Sequence, residues 1–295
     1  MSFLDDEIAT QPADWARNVR RIPEFAASLP RPGERVAVVG CGTSYYVGLA
    51  YAALREEAGH GETDAYAASE YRTGRRYDRV LAISRSGTTT EILDLLPQLR
   101  GKVPITAITA DPQQAISSVA DDVVSLADVD EGSVLQTRFA TTTLALLRAH
   151  LGEDLSATIA DAESALHEPL PASLVDASQF TFLGRGWAYG LALEAALKLR
   201  EAAQLWTEAY PVMEYRHGPI SIAEHGRATW ILGSAPEGLA DEIAETGAHV
   251  EQARRDPMAE LVRVHRLCVV RAEAAGLDAD HPRNLTRSIV LGTAG

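Results

Sequence analysis

Along this chain, short runs of wholly apolar residues alternate with longer stretches in which apolar positions recur at helical spacing. From Trp15 to Leu29 the apolar positions are separated by Arg17, Arg20 and Arg21, and the stretch stops at Pro30-Arg-Pro-Gly33. This predicts a lead-in helix and a loop within residues 1–34. Val36-Ala-Val-Val39 then breaks at Gly40-Cys-Gly42 and passes into Tyr45 to Glu57, the order strand, turn, helix. The order recurs at Arg79 to Ser84, Ser86 to Thr90 and Glu91 to Leu99, and again at Pro104 to Thr109 before Asp111 to Val119. A fourth apolar run, Val123 to Leu126, leads through the polar loop Asp128 to Gly132 into a predicted helix from Val134 to Leu151. Such alternation argues for an α/β fold with parallel strands covered by helices on both faces.

Residues Asp154 to Ser178 read as a helix broken by Pro169 and Pro171, which places a domain boundary there, with units 35–165 and 166–295. The pattern then restarts. Phe180-Thr-Phe-Leu183 runs into Gly184-Arg-Gly186 and a helical stretch from Ala188 to Leu205, and the unit overlays the first: Gly40 on Gly184, Gly42 on Gly186, Tyr45 on Tyr189, Leu49 on Leu193. These identities suggest an internal duplication. A second strand, Ala228 to Leu232, opens into Gly233-Ser-Ala-Pro-Glu-Gly238, where the first half has Ser84-Arg-Ser-Gly-Thr-Thr89. The second copy has lost its hydroxyls.

The length of 295 residues suits two domains, each expected to bury its own core, and 46% hydrophobic with 23% charged residues is the composition of an ordinary folded protein. A formal charge of -14 repels phosphate backbones and anionic lipid, so neither nucleic acid nor a membrane is expected as a partner. An anionic ligand would need a local site working against the overall field. Two cysteines, Cys41 and Cys268, are too few for a disulfide framework and too far apart in sequence for a metal pair, which fits a reducing, cytoplasmic setting. Asp5, Asp6 and Glu7 stand where an export signal would be basic, and no apolar stretch reaches membrane-spanning length.

The candidate chemistry sits in two turns. Ser84-Arg-Ser-Gly-Thr-Thr-Thr-Glu91 lies between a buried strand and a helix, so hydroxyls and backbone N–H groups converge on a helix N-terminus, with Arg85 adding positive charge. That is a place for phosphate; it is equally the composition of a polar capping turn, since Ser and Thr are the usual N-caps. Gly40-Cys-Gly-Thr-Ser44 makes a second such turn, and ligands in open α/β sheets bind at the carboxyl ends of strands.

Cys41-Gly-Thr-Ser44, Ala68-Ser-Glu-Tyr-Arg72, Ile83-Ser-Arg-Ser-Gly87, Leu183-Gly-Arg-Gly186, Ala192 to Glu201, Arg216-His-Gly-Pro219 and Pro282-Arg-Asn-Leu285 keep one order over nearly the whole chain. Together they resemble the isomerase half of glucosamine-6-phosphate synthase, of the tandem sugar isomerase (SIS) domain family. The resemblance implies two flavodoxin-like SIS domains, a homodimer, no cofactor or metal, and a sugar 6-phosphate site. Ser44, Ser84, Arg85, Ser86 and Thr89 match its phosphate-binding positions, with Arg85 in place of the usual glutamine. Cys41, Gly42, Thr43, Val134, Gln136 and Arg287 fall at further substrate positions. Glu201 matches the glutamate that moves a proton between C1 and C2, Lys198 a lysine beside it, and His217 a histidine supplied by the neighbouring subunit for ring opening. Isomerisation or elimination next to a carbonyl needs such a carboxylate base and a proton donor. Read without the resemblance, Glu194, Lys198 and Glu201 are a charged helix face and His217 an ordinary loop histidine.

Three departures bear on the reaction. The chain begins Met1-Ser2-Phe3 with only the lead-in helix ahead of the first strand, so glutamine is not expected to serve as an ammonia source. Where the synthase carries an imine-forming lysine near the carboxyl terminus, this chain has Arg287, which stays protonated and forms no Schiff base. A further lysine of the synthase is Arg138 here. The expected activity is therefore isomerisation with deamination of a 6-phospho-amino-sugar. Dehydration of N-acetylglucosamine 6-phosphate by loss of the C3 hydroxyl is a second expectation, and a non-catalytic phosphosugar sensor a third.

Overall fold

The computed structural model describes residues 2–252 and 254–292. Two parallel sheets form its frame. The first has five strands, β1 (Val36–Gly40), β2 (Thr63–Ala67), β3 (Arg79–Ile83), β4 (Ile105–Thr109) and β5 (Asp122–Ser125), in the order β2-β1-β3-β4-β5. The second has four, β6 (Gln179–Gly184), β7 (Trp206–Pro211), β8 (Ala228–Leu232) and β9 (His249–Gln252), in the order β7-β6-β8-β9. Eleven α-helices surround them among the described residues: α1 (Phe3–Val19), α2 (Ile22–Phe25), α3 (Thr43–Glu57), α4 (Thr90–Leu99), α5 (Ile116–Val119), α6 (Arg138–His150), α7 (Ser156–Ala165), α8 (Ala172–Val175), α9 (Ala188–Ala203), α10 (Leu239–Glu245) and α11 (Pro257–Ala274).

β1, β3, β4, β6 and β8 are buried at every position, which is why they read as mainly apolar runs rather than as a polar–apolar alternation, with buried polar residues such as Thr106, Thr181 and Thr229 inside them. Several boundaries differ from the sequence reading. The lead-in helix starts at Phe3 and ends at Val19, with Pro12 inside it; Ser2 caps it by accepting from the Asp5 N–H at 3.1 Å. Only Ile116–Val119 of the predicted Asp111–Val119 helix is helical, and α6 starts at Arg138, leaving 134–137 as a loop.

The two sheets do not keep separate inner cores. One continuous cluster takes Val36 and Val38 from β1, Leu81 and Ile83 from β3, Phe180 and Phe182 from β6 and Trp230 from β8, joined by α3, α9 and α11. Smaller clusters lie on the outer faces. The two duplicated helices, α3 and α9, pack against each other in this shared core. Gly190 makes their closeness possible, because a Cβ there would stand 2.6 Å from the Tyr46 carbonyl oxygen and 2.8 Å from the Ala50 nitrogen. That approach brings the C-terminal turns of α9 beside the start of α3, and the candidate site is there.

Candidate active site

A cleft of about 160 Å³ opens at the carboxyl edge of the first sheet. Cys41, Gly42 and Thr43 of the turn after β1 line it, with Arg85 and Thr89 of the turn after β3. Val134, Leu135 and Gln136 approach from the loop before α6, Lys198 and Glu201 from α9, and Leu285 to Ile289 from the C-terminal segment. The structure thus brings together ten of the residues singled out in the sequence. Ser44, Ser84 and Ser86 are buried close by in the same turns, and His217 is not in this cleft: it ends the short helical turn Val212–His217, which buries Val212 and Tyr215 and leaves His217 exposed.

The turn after β3 is not a simple cap. Thr89 occupies the N-cap position of α4 without a side-chain bond to the helix. Ser84 Oγ accepts from the Gly87 N–H at 3.2 Å, and Ser86 Oγ from the Thr88 N–H at 3.3 Å. Gly87 takes φ +65°, and a Cβ would lie 2.9 Å from both Gln114 and Ile116, so the tight turn requires glycine. Ser86 and Thr88 donate to Ser288 Oγ at 3.1 and 3.0 Å, with Thr89 Oγ1 at 3.5 Å. The Thr90 N–H, the first free donor of α4, is met by the Ile289 carbonyl at 3.1 Å. The C-terminal segment therefore rests on the cluster of hydroxyls. Ser288 escaped the sequence reading because a lone serine beyond the last motif carries no pattern.

On α9 the charged face is interior rather than solvated. Glu194 and Lys198 are each 1% exposed. Thr43 donates to Glu194 Oε1 at 3.2 Å, Lys198 Nζ stands 3.6 Å from that oxygen, and Glu194 Oε2 has no hydrogen-bond partner among the described residues. Lys198 also pairs with Glu201, whose side chain retains 18% exposure toward the cleft. Burial pushes Glu194 up to about 7 against the opposing pull of Lys198. Burial alone would lower Lys198, but Glu194 and Glu201 together hold it above its ordinary value, so it stays charged. Behind them on α11, burial and the Lys198 charge push His265 down to about 3, leaving it neutral. Cys41 is raised to about 11 by burial and by Glu91, so it is a thiol at neutral pH and no nucleophile.

Arg85 departs from its expected role. Its guanidinium is 1% exposed and turned into the protein, ion-paired to Glu131 at 3.2 Å and hydrogen-bonded to backbone carbonyls. Its charge is therefore spent on Glu131 and those carbonyls and does not strengthen the anion turn. Glu131 gave no sign in the sequence, since it sits in a polar loop like any surface carboxylate. Arg287 lines the cleft, with its guanidinium paired to Asp130 and to the Glu131 carbonyl.

Comparison with known proteins bears on this arrangement. Residues 31–151 match the SIS domain family. The first half of the chain is thus similar to the SIS domain. The chain is 29% identical over 296 residues to a glutamine--fructose-6-phosphate aminotransferase [isomerizing] of Sulfurisphaera tokodaii, covering 88% of this chain and 50% of that relative. It spans about half the length of that curated relative. Among solved structures, glucosamine-6-phosphate deaminase of Thermotoga maritima superposes with a TM-score of 0.79 at 23% identity, covering 98% of this chain and 100% of that one. The C-terminal domain of glucosamine-fructose-6-phosphate aminotransferase from Francisella tularensis gives 0.79 at 22% identity, covering 96% and 98%. At these identities the superpositions establish the tandem SIS fold of this chain. Among the described residues no helix is long and apolar enough to cross a membrane, and no group of His, Cys, Asp and Glu is placed to hold a metal ion.

Proposed function

We propose that this protein is a phosphosugar isomerase-type enzyme that acts on a 6-phospho-amino-sugar, with Glu201 as the base at C2. The observation that carries the reading is the placing of one carboxylate, Glu201, on a fixed ammonium, Lys198, across a single cleft from the hydroxyl turn that ends in Thr89. A turn rich in O–H and N–H donors at a helix N-terminus suits a phosphate, which would anchor the sugar's C6 end and displace Ser288 from its donors. The other end of the open chain then lies toward Glu201. Proton removal from C2 leaves negative charge on O1, and the Lys198 ammonium, held protonated by its two carboxylates, is suited to neutralise it. Returning the proton to C1 completes the isomerisation, and with a free amine at C2 hydrolysis of the resulting imine releases ammonia.

Arg287 favours a second reading. The arginine at that position cannot form an imine, and a guanidinium beside an enolate suits loss of the C3 hydroxyl when the C2 nitrogen is acetylated. His217, exposed and outside its own chain's cleft, is proposed to act in the site of a partner subunit of a homodimer.

Incubation with a panel of 6-phosphosugars followed by NMR tests the reading. Ammonia and a ketose phosphate are expected from the free amine, an unsaturated sugar phosphate from the N-acetyl compound under the second reading. Binding without turnover of any panel member would leave a sensor. For the dimer, mixing Glu201→Ala with His217→Ala chains should restore about a quarter of native sites if subunits exchange at random. Mixed dimers with no recovered activity would place both residues in one subunit's site.

A further inference from the structure

We infer that Arg85 is a positioning residue, a buried clamp that locks loop 130–137 and the C-terminal segment together over the cleft, and that it acts on the ligand only through them. The consequence for substrate rests on the function proposed above; the clamp itself does not.

Arg85 begins where β3 has ended, and its own backbone is fixed: its carbonyl accepts from the Ala110 N–H at 3.1 Å and from Thr109 Oγ1 at 3.2 Å. From this anchor the guanidinium reaches three successive carbonyls of the loop, Ser133 at 3.1 Å, Val134 at 2.9 Å and Leu135 at 3.3 Å. It also reaches the Arg287 carbonyl at 3.2 Å and the Glu131 carboxylate at 3.2 Å. Consecutive carbonyls aimed at one point repel one another unless a cation sits there, and a planar fork of donors can meet several at once. A neutral amide has too few donors for these five acceptors and no charge for Glu131.

The loop is tied from its other sides as well. Glu131 Oε1 accepts from the Thr137 N–H at 2.5 Å and from Thr137 Oγ1 at 3.1 Å, closing the loop on itself. Glu7 of α1 accepts from the Gly132 N–H at 2.5 Å and the Ser133 N–H at 3.3 Å, and the Val134 N–H donates to the Asp280 carbonyl at 2.9 Å. Arg287 closes the ring by reaching back to Asp130 and the Glu131 carbonyl. Arg85 is the one group in this set that holds the loop and the tail at the same time from the phosphate turn. What it presents to the cleft is the pair Val134 and Gln136, the latter with a buried Oε1 that has no partner among the described residues.

Glu131 makes the test decisive, because its side chain is 0% exposed and it does not line the cleft. Were Arg85 a phosphate ligand, Glu131→Gln would release its charge and leave anion binding unchanged or tighter. As a clamp, Glu131→Gln should copy Arg85→Met. Both variants, with Arg85→Lys as the milder change in case either fails to fold, are compared for binding of inorganic phosphate and of glucosamine 6-phosphate, and for hydrogen exchange. The expected result is faster exchange in 130–137 and 285–291 in every variant, with exchange in β3 and β4 unchanged. Inorganic phosphate affinity should stay within about two-fold, while phosphosugar affinity falls on the order of ten- to a hundred-fold through misplacement of Val134 and Gln136. The clamp is overturned by unchanged exchange in both segments, by loss of inorganic phosphate binding in Arg85→Met, or by tighter binding in Glu131→Gln. If the native protein binds neither probe, the proposed function fails, and the exchange pattern still decides the clamp.

Discussion

Ser84 to Thr89 leaves β3 and Gly233 to Gly238 leaves β8 at matching corners of the two sheets, each strand lying beside the one that opens its half. Both turns lead to a helix N-terminus. The first offers Ser84, Ser86, Thr88 and Thr89 and feeds a ten-residue helix; the second offers Ser234 alone and feeds a seven-residue helix. Around the second turn the polar contacts are surface ones: Arg216 donates to the Glu237 carbonyl at 2.9 Å and pairs with Glu242 at 2.7 Å, where solvent screens the charge. The topology supplies the same corner twice, and the side chains make a site of one. The second half contributes instead through α9, which crosses to the first half because Gly190 lets it lie against α3.

The largest expected effect comes from α9. Lys198→Met leaves Glu194 and Glu201 without their counter-charge in a buried place, which should destabilise the fold by about 3–5 kcal/mol and abolish turnover. A denaturation midpoint and C2-proton exchange measure the two parts; full activity in the variant would break the assignment of the chemistry to α9. Next come the paired turns. Ser86→Ala should weaken phosphosugar binding by about 1.5–3 kcal/mol, the cost of a hydrogen bond to a charged group, while Ser234→Ala should change it by less than about 0.5 kcal/mol. Equal losses in calorimetric titrations would mean that both corners bind ligand.

The pH dependence of stability sharpens the comparison more gently. Glu194 is raised in the folded state to about 7, so the fold holds its proton more tightly than the unfolded chain. Its contribution is fully present below the ordinary carboxyl value and is lost as pH rises through about 7. Glu194→Gln should flatten the decline in unfolding free energy over that window, and an unchanged slope would place its origin elsewhere.

Legibility followed burial. Central strands β1, β3, β4, β6 and β8 were readable as apolar runs, whereas the edge strands β2, β7 and β9, with half-exposed polar positions such as Asp64, Glu208 and Glu251, were not; β5 is an edge strand too and was legible only through its apolar Val123 and Val124. The tail of the second half, α10 and α11, went unread as well, because α11 is buried along most of its length and carries Glu260, Arg263 and His265 inside, which blurs the helical stripe. In the site, the hydroxyl turns stood out by residue type, whereas the α9 charges did so only through the family resemblance, since by spacing alone they read as an ordinary charged helix face. The direction of the Arg85 side chain and the roles of Glu131 and Ser288 depend on contacts across more than forty positions of sequence, which no local pattern holds.

The account stands or falls on Glu201 as the base that works across the cleft from the Ser84–Thr89 turn. Solvent-deuterium incorporation at C2 of glucosamine 6-phosphate, followed by NMR for the native protein and for Glu201→Gln, measures this directly. The native protein should wash deuterium into C2, and Glu201→Gln should slow that exchange by about 10²–10⁴-fold while its affinity for the phosphosugar stays close to native. Exchange at the native rate in Glu201→Gln would contradict the account.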